Sequence, residues 1–366
     1  MLAAQRQRHL DRHNRAMHES EARVTLAGIG WPPGRPWPAL APGQALARVA
    51  AQHRGGYLLH DGARSYAAQP APAFLRRGLA AEARPVVGDF VVVAGSPAQI
   101  VGILPRHGLL QRAAAGERYA RQPIAANVDT VCVLMGLDGD FNPARVLRYL
   151  ALIEGSGATA LLLLSKADRH PFDAERQSAL AQALPADTPR LAINAKDDAA
   201  VRAQLAPWLL PGATLALVGS SGAGKSTLTN SLLGHTAQAT AAVRAHDSRG
   251  RHTTTHRALL ALPGGACLID TPGMRELKLT GTEDLQQYAD IAALARQCRF
   301  SDCTHGNEPA CAVRTALQSG ELAAARWQAW CKLSAERDAQ EAALEARLQG
   351  HARPATRLLG RRQHER

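Results

Sequence analysis

Residues 213–234 read ATLALVGSSGAGKSTLTNSLLG, and the three parts of that stretch decide the fold of the chain's centre. Ala213 to Val218 form an apolar run, the mark of a strand covered on both faces. Gly219, Ser220, Ser221, Gly222, Ala223, Gly224, Lys225 and Ser226 satisfy GxxxxGK[ST], and the helical STLTNSLLG follows from Ser226. Strand, glycine-rich turn and helix in that order make the motif a phosphate-binding loop. Glycines let the backbone wrap phosphate so that successive N–H groups point inward, and the helix behind presents its positive end. Lys225 is suited to neutralising β and γ oxygens and Ser226 to ligating Mg²⁺, with Thr227 next to it in the loop-to-helix turn.

Downstream, Asp270-Thr271-Pro272-Gly273 follows the apolar run ACLI. An acid at a strand end can hold Mg²⁺ through water, and the Gly273 amide can sense a γ-phosphate. In isolation DTPG is only a turn; after a phosphate loop it reads as a second switch. Between the two lies Arg249-Gly250-Arg251-His252-Thr253-Thr254-Thr255-His256. Alone this is a polar loop, but its placement makes it a first switch, with one of Thr253, Thr254 and Thr255 completing the Mg²⁺ shell. Met274 stands where a water-orienting Gln is common, so slow intrinsic hydrolysis and activation by a partner are expected. His252 is a substitute candidate for positioning water.

The base reader lies upstream. Ser165-Lys166-Ala167-Asp168 directly follows a run of four leucines. A carboxylate at Asp168 can accept both N1–H and the 2-amino group of guanine, an arrangement adenine lacks. Ser165 departs from the usual Asn, and its shorter side chain is expected to weaken one contact to the base or to the phosphate loop. Ile193-Asn194-Ala195-Lys196 reads as the loop backing the guanine, with Asn194 where Ser is usual. The order is therefore base reader, backing loop, phosphate loop, first switch, second switch. Ordinary GTPases run phosphate loop first, so this order describes a circular permutation, which keeps one site because domain termini lie close together. It also leads the second switch straight into the C-terminal region, so that nucleotide state could move that region.

The 366 residues leave room for two or three domains. Residues 1–44, charged and then rich in Pro and Gly, read as a flexible basic arm and linker. Short apolar stretches in 45–121, such as PVVGDFVVVAG, suggest a small all-β barrel, although a sandwich gives a similar pattern. From about 122 to 279, consecutive apolar runs at Val128–Met135, Ala158–Leu164, Ala213–Val218 and Ala266–Ile269 alternate with helical stretches, as in a parallel α/β sheet. Residues 280–340 turn helical and carry Cys298-x4-Cys303-x-His305-x5-Cys311. Three thiolates and one imidazole suit tetrahedral Zn²⁺ in a filled, structural site. Cys132 and Cys267 read as core thiols and Cys331 as a bystander. Residues 341–366 form a basic tail, either a solvated end or an RNA contact.

The formal net charge of +12 and pI of about 10.0 point to a polyanionic partner, nucleic acid ahead of a membrane surface. With aromatics at 4%, phosphate contacts rather than base stacking are expected to carry affinity. No apolar run approaches the roughly 18 residues of a membrane span, and the N-terminus lacks the apolar core of a secretory signal. A cytoplasmic location is expected, with no membrane partner.

Taken together, VVGDFV, ILPR, AANVDTV, RYL, GSSGAGKSTLTNSLLG, RGRHTTTH, DTPG, the Cys/His cluster and EPACAV resemble the bacterial small-subunit-dependent GTPases, the RsgA or YjeQ family, over about residues 45–335. The resemblance implies an N-terminal OB-fold, a permuted G domain and a helical zinc domain. It implies GTP hydrolysis to GDP, stimulated by the small (30S) ribosomal subunit and its 16S rRNA during late maturation of that particle. Guanine contacts would fall on Ser165, Lys166, Ala167 and Asp168, phosphate contacts on Gly219 to Thr227, and zinc on Cys298, Cys303, His305 and Cys311. A monomer that does not engage DNA is expected. Two other readings compete: a P-loop ATPase or small-molecule kinase, against which Asp168 argues, and an RNA-binding scaffold whose nucleotide site does not turn over.

Overall fold

The computed structural model describes residues 22–53, 55–113, 121–234, 257–270 and 288–351. Its first strands are β1 (Gln44–His53), β2 (Gly56–His60), β3 (Ser65–Pro70), β4 (Phe90–Ala94) and β5 (Gln99–Ile103). They pair in the order β1-β2-β3-β5-β4, and β4 returns to β1. That closure makes a five-stranded barrel of the OB type and leaves the alternative of a sandwich behind. Val49, Leu59, Val91 and Ile100 fill its interior. A hairpin, β6 (Leu109–Ala113) and β7 (Arg121–Ala126), then leads to the central sheet.

The consecutive apolar runs become that sheet. Strands β8 (Thr130–Gly136), β9 (Thr159–Ser165), β10 (Arg190–Ala192), β11 (Thr214–Gly219), β12 (Ala258–Ala261) and β13 (Cys267–Asp270) run in the order β10-β9-β8-β11-β13-β12. The first five in that order are parallel and β12 is antiparallel on the flank. All seven residues of β8 and all six of β11 are buried. Successive side chains of β8 serve opposite faces, as strand geometry requires. Val131, Val133 and Met135 join one apolar core with Leu147 and Leu150, whereas Cys132 and Leu134 join a second with Leu228 and Leu232. Each fully buried Leu contributes about 1.5–3 kcal/mol relative to exposure. The helices supplying those residues include Pro143–Glu154 and Lys225–Leu233.

The N-terminal segment departs from the expected flexible linker. Residues 22–27 are helical, and Leu26, Ile29 and Trp31 are buried together with Leu46, Phe90 and Cys267. Trp31 meets Phe90 edge-on with ring centroids 4.9 Å apart. Beneath them Arg48 is fully buried. It donates to the carbonyls of Ile29 (2.7 Å) and Gly88 (3.1 Å) and to Oγ1 of Thr214 (2.8 Å). One guanidinium thus ties the N-terminal segment, the barrel and the root of β11 together. Desolvation lowers its pKa, and this ring of acceptors offsets part of that cost. Barrel and sheet also meet where Ala51 pairs with Ala258. Residues 1–21 of the expected arm lie outside the described residues.

After residue 288 come the helices Ala289–Ala295, Ala312–Ser319 and Ala324–His351. Tyr288, Val313, Ala316 and Leu333 pack into the same core as the helix Pro143–Glu154. The last helix continues to His351, beyond the expected start of the basic tail at 341, and residues 352–366 are not among those described. No described helix is long and apolar enough to cross a membrane.

Candidate functional site

Every candidate residue of the nucleotide site within the described chain sits at the C-terminal edge of the parallel strands. The connections place β8 beside β11, so strand order reverses between them, and that gap is where open α/β sheets bind ligands. Gly219 ends β11 with φ 145°, and a Cβ there would lie 2.4 Å from the Leu134 carbonyl, so the strand can turn into the loop only with glycine. Gly224, at φ 97°, caps the helix Lys225–Leu233. Ser221, Gly222, Ser226 and Thr227 face solvent, while Ala223 is buried. The Lys225 ammonium folds back across the loop onto the carbonyls of Gly219 (2.7 Å) and Ser220 (2.6 Å). Phosphate oxygens in the loop would compete for those same donors.

Of the two contacts that the short Ser165 side chain was expected to put at risk, to the base or to the phosphate loop, the one to the loop is present. The Ser165 Oγ donates to the Ala223 carbonyl at 2.6 Å, with Ser165 fully buried. The short side chain therefore keeps its bond to the phosphate loop, because the two loops approach closely enough for a hydroxyl to span the gap. Lys166 has φ 65° and its ammonium lies 2.6 Å from Asp138 Oδ2. That hydrogen bond lowers the Asp138 pKa. The Ala167 N–H donates to the Ile193 carbonyl at 3.2 Å, which joins the turn 165–168 to the loop 193–196. There Asn194 Oδ1 accepts from the Lys196 N–H at 3.1 Å. The Ala195 carbonyl accepts from Ser231 Oγ at 2.6 Å. The side chain of Asp168 approaches Arg169 at 3.8 Å.

Asp138 and Asp140, in the loop after β8, escaped the sequence reading. Asp140 takes the Ser220 hydroxyl at 2.6 and 2.7 Å and the Gly136 N–H at 3.0 Å. They form no familiar motif; the signal available was two acids at the end of a buried strand. Asp270, at the end of β13, lies in register with Leu217 of β11. His252, Thr253, Thr254, Thr255, Gly273 and Met274 lie outside the described residues.

The Cys/His cluster gathers at the other end of the chain. Cys298 follows the helix Ala289–Ala295, Cys303 and His305 lie in the loop, and Cys311 caps the helix Ala312–Ser319. Their ligand atoms all fall within 4.8 Å of one another. Cys298 and Cys311 sulfurs stand 3.9 Å apart, and each is 3.5 Å from His305 Nδ1. A zinc tetrahedron with bonds of ~2.3 Å to sulfur and ~2.0 Å to nitrogen has edges of ~3.8 and ~3.5 Å. The donor set and its spacing are compatible with zinc. Trp327 meets the His305 ring edge-on at 5.5 Å and stacks on Trp330 at 5.0 Å. Of the remaining thiols, Cys132 and Cys267 are buried and Cys331 is half-buried. Burial pushes the Cys132 pKa up to about 12.

Residues 103–280 match the family model described as RsgA GTPase. A protein of Xanthomonas euvesicatoria pv. vesicatoria named small ribosomal subunit biogenesis GTPase RsgA is 52% identical over 323 residues, covering 85% of this chain and 88% of its own. A protein of the same name from Xanthomonas campestris pv. campestris (strain B100) is 52% identical over 324 residues, with the same coverage. Among solved structures, YjeQ from Thermotoga maritima superposes with a TM-score of 0.57 at 23% identity, over 80% of this chain and 98% of that one. YloQ, described as a circularly permuted GTPase, gives a TM-score of 0.53 at 21% identity, over 83% and 99%. The fold, the matched family model and half-identity to relatives along most of both chains agree: this chain belongs to the RsgA family of circularly permuted GTPases.

Proposed function

We propose that this protein binds the small ribosomal subunit and hydrolyses GTP to GDP and phosphate in a subunit-stimulated manner late in 30S maturation. The observation that carries the reading is the 2.6 Å bond from Ser165 to the Ala223 carbonyl, which holds the base-reading turn against the glycine-rich loop. One nucleotide can then meet both. Asp168 would accept from guanine N1–H and the 2-amino group, with Lys166, Ala167, Asn194, Ala195 and Lys196 framing the base. Gly219 to Thr227 would hold the phosphates, Lys225 their charge. Ser226, one of Thr253, Thr254 and Thr255, and Asp270 would hold Mg²⁺, which supplies charge neutralisation at the β and γ oxygens. The Gly273 amide would read the γ-phosphate, and His252 would position water.

The relatives named for small-subunit biogenesis support the partner, and the +12 charge supports contact with 16S rRNA. Residues 45–121 would serve as the RNA-facing barrel, 122–279 as the GTPase domain and 280–340 as the zinc domain. Cys298, Cys303, His305 and Cys311 would hold one structural Zn²⁺. The protein would act as a monomer in the cytoplasm. The test is phosphate release from GTP and from ATP, with and without purified small subunits. Stimulated release from GTP alone is expected. Absence of stimulation, or a preference for ATP, would overturn the reading.

A further inference from the structure

Resting on the GTPase reading, the geometry points to Asp140 as a positioning residue. We infer that it anchors the entrance of the glycine-rich loop and ties it to the helix Pro143–Glu154, against which the C-terminal helices pack. A loop that wraps phosphates needs its N–H groups converged before the ligand arrives, and open backbone pays for that order in entropy. This loop is pinned from outside at two points that would not compete with phosphate. Ser165 holds its fifth residue through the Ala223 carbonyl at 2.6 Å. Asp140 holds its second, with both carboxylate oxygens on the Ser220 hydroxyl at 2.6 and 2.7 Å. The Lys225 contacts to Gly219 and Ser220, by contrast, use the ammonium that phosphates would claim.

The carboxylate is itself fixed. Asp140 Oδ2 accepts from the Gly136 N–H at 3.0 Å, and the Arg145 guanidinium grips both its Oδ1 and its backbone carbonyl. Arg145 lies in the first turn of the helix Pro143–Glu154, whose N-cap Asn142 accepts from the Arg145 N–H at 3.0 Å. Val146, Leu147, Leu150 and Ile153 of that helix share one core with Tyr288, Val313 and Leu333 of the C-terminal region. Arg326 adds a bond to the Ala183 carbonyl at 3.2 Å. The chain of contacts therefore runs from the C-terminal helices through Arg145 and Asp140 to Ser220.

Asp140→Ala and Ser220→Ala are each expected to raise the KM for GTP and the Kd for a fluorescent GDP about tenfold (~1.4 kcal/mol). For Asp140→Ala, which lies outside the glycine-rich loop, subunit-stimulated kcat should stay within about threefold, because an anchor lost equally in ground and transition states removes uniform binding. The double variant should be no more than about twofold worse than either single one, since both break the same contact. Ser220→Thr, which keeps the hydroxyl, should recover most of the affinity. A purely structural role would instead lower kcat with KM unchanged, through a smaller folded fraction, and that result overturns the inference. So do single variants within about twofold of wild type, or a double variant whose losses multiply. If Asp140→Ala does not fold, the Ser220→Ala and Ser220→Thr pair decides alone. Wild-type protein that fails to prefer the GDP probe over its ADP counterpart would count against the guanine reading, whereas normal wild-type binding with unaffected variants counts only against Asp140.

Discussion

The two candidate ligand sites of this chain are built on opposite principles. The Cys/His cluster draws its four side chains from positions 298 to 311, and their ligand atoms close to within 4.8 Å. The nucleotide site draws on strand ends spread from Gly136 to Asp270, brought to one edge by the order β10-β9-β8-β11-β13. A local site is specified by spacing and fails when one ligand is lost. A site assembled from many strand ends is specified by packing, and each of its contacts can fail separately and by a smaller amount.

The sharpest way to break the contrast is to deny the Cys/His cluster the metal proposed for it. Chelation, or Cys303→Ser, should abolish stoichiometric metal binding and unfold the loop between the helices Ala289–Ala295 and Ala312–Ser319. The loss is expected to be several kcal/mol, since a structural zinc contributes directly to folding. Metal analysis and proteolysis of the C-terminal region would check it; a metal-free protein with an intact C-terminal region would show that the cluster is not a structural site. Lys225→Ala comes next. On the proposed reading it removes the charge opposite the phosphates, and it should cut stimulated GTP turnover by about a hundredfold (~2.7 kcal/mol) while the thermal melt stays close to that of wild type.

Smaller effects sharpen the comparison. Ser165→Ala leaves the buried Ala223 carbonyl without its partner, at a cost of about 1–2 kcal/mol. Guanine nucleotide affinity should fall roughly five- to thirtyfold, as read by titration with labelled GDP. An affinity equal to that of wild type would mean that the two loops hold together without this hydroxyl. Trp327→Leu removes the edge-on contact to His305 and should cost about 1 kcal/mol. Slightly faster metal loss to a competing chelator is the expected readout, with nucleotide affinity unaltered.

Much of this was legible in residue order. GSSGAGKS predicted a strand, a loop and a helix, and they stand at Thr214–Gly219 and Lys225–Leu233. Apolar runs predicted buried parallel strands because only burial on both faces tolerates them. The cysteine spacing picked out four side chains that come together. Less legible was Ser165, read as weakening one contact to the base or to the phosphate loop; the second of these is made, to the Ala223 carbonyl. The Pro- and Gly-rich segment, read as a linker, seats Trp31 against Phe90 and gives Arg48 an acceptor at Ile29. Composition could not reveal that, because a single tryptophan plugging a junction leaves no periodic trace.

By itself, then, the sequence determined the chemistry at each strand end and the conformation of each short stretch, since backbone preference and ligand spacing act between near neighbours in the chain. Only the tertiary structure decided which ends meet. Asp140 and Ser220 are joined by a hydroxyl–carboxylate bond, and Arg48 reaches Thr214 across the barrel junction. Such pairs depend on strand order and on the approach of separate elements, and neither leaves a repeating pattern in the residues themselves.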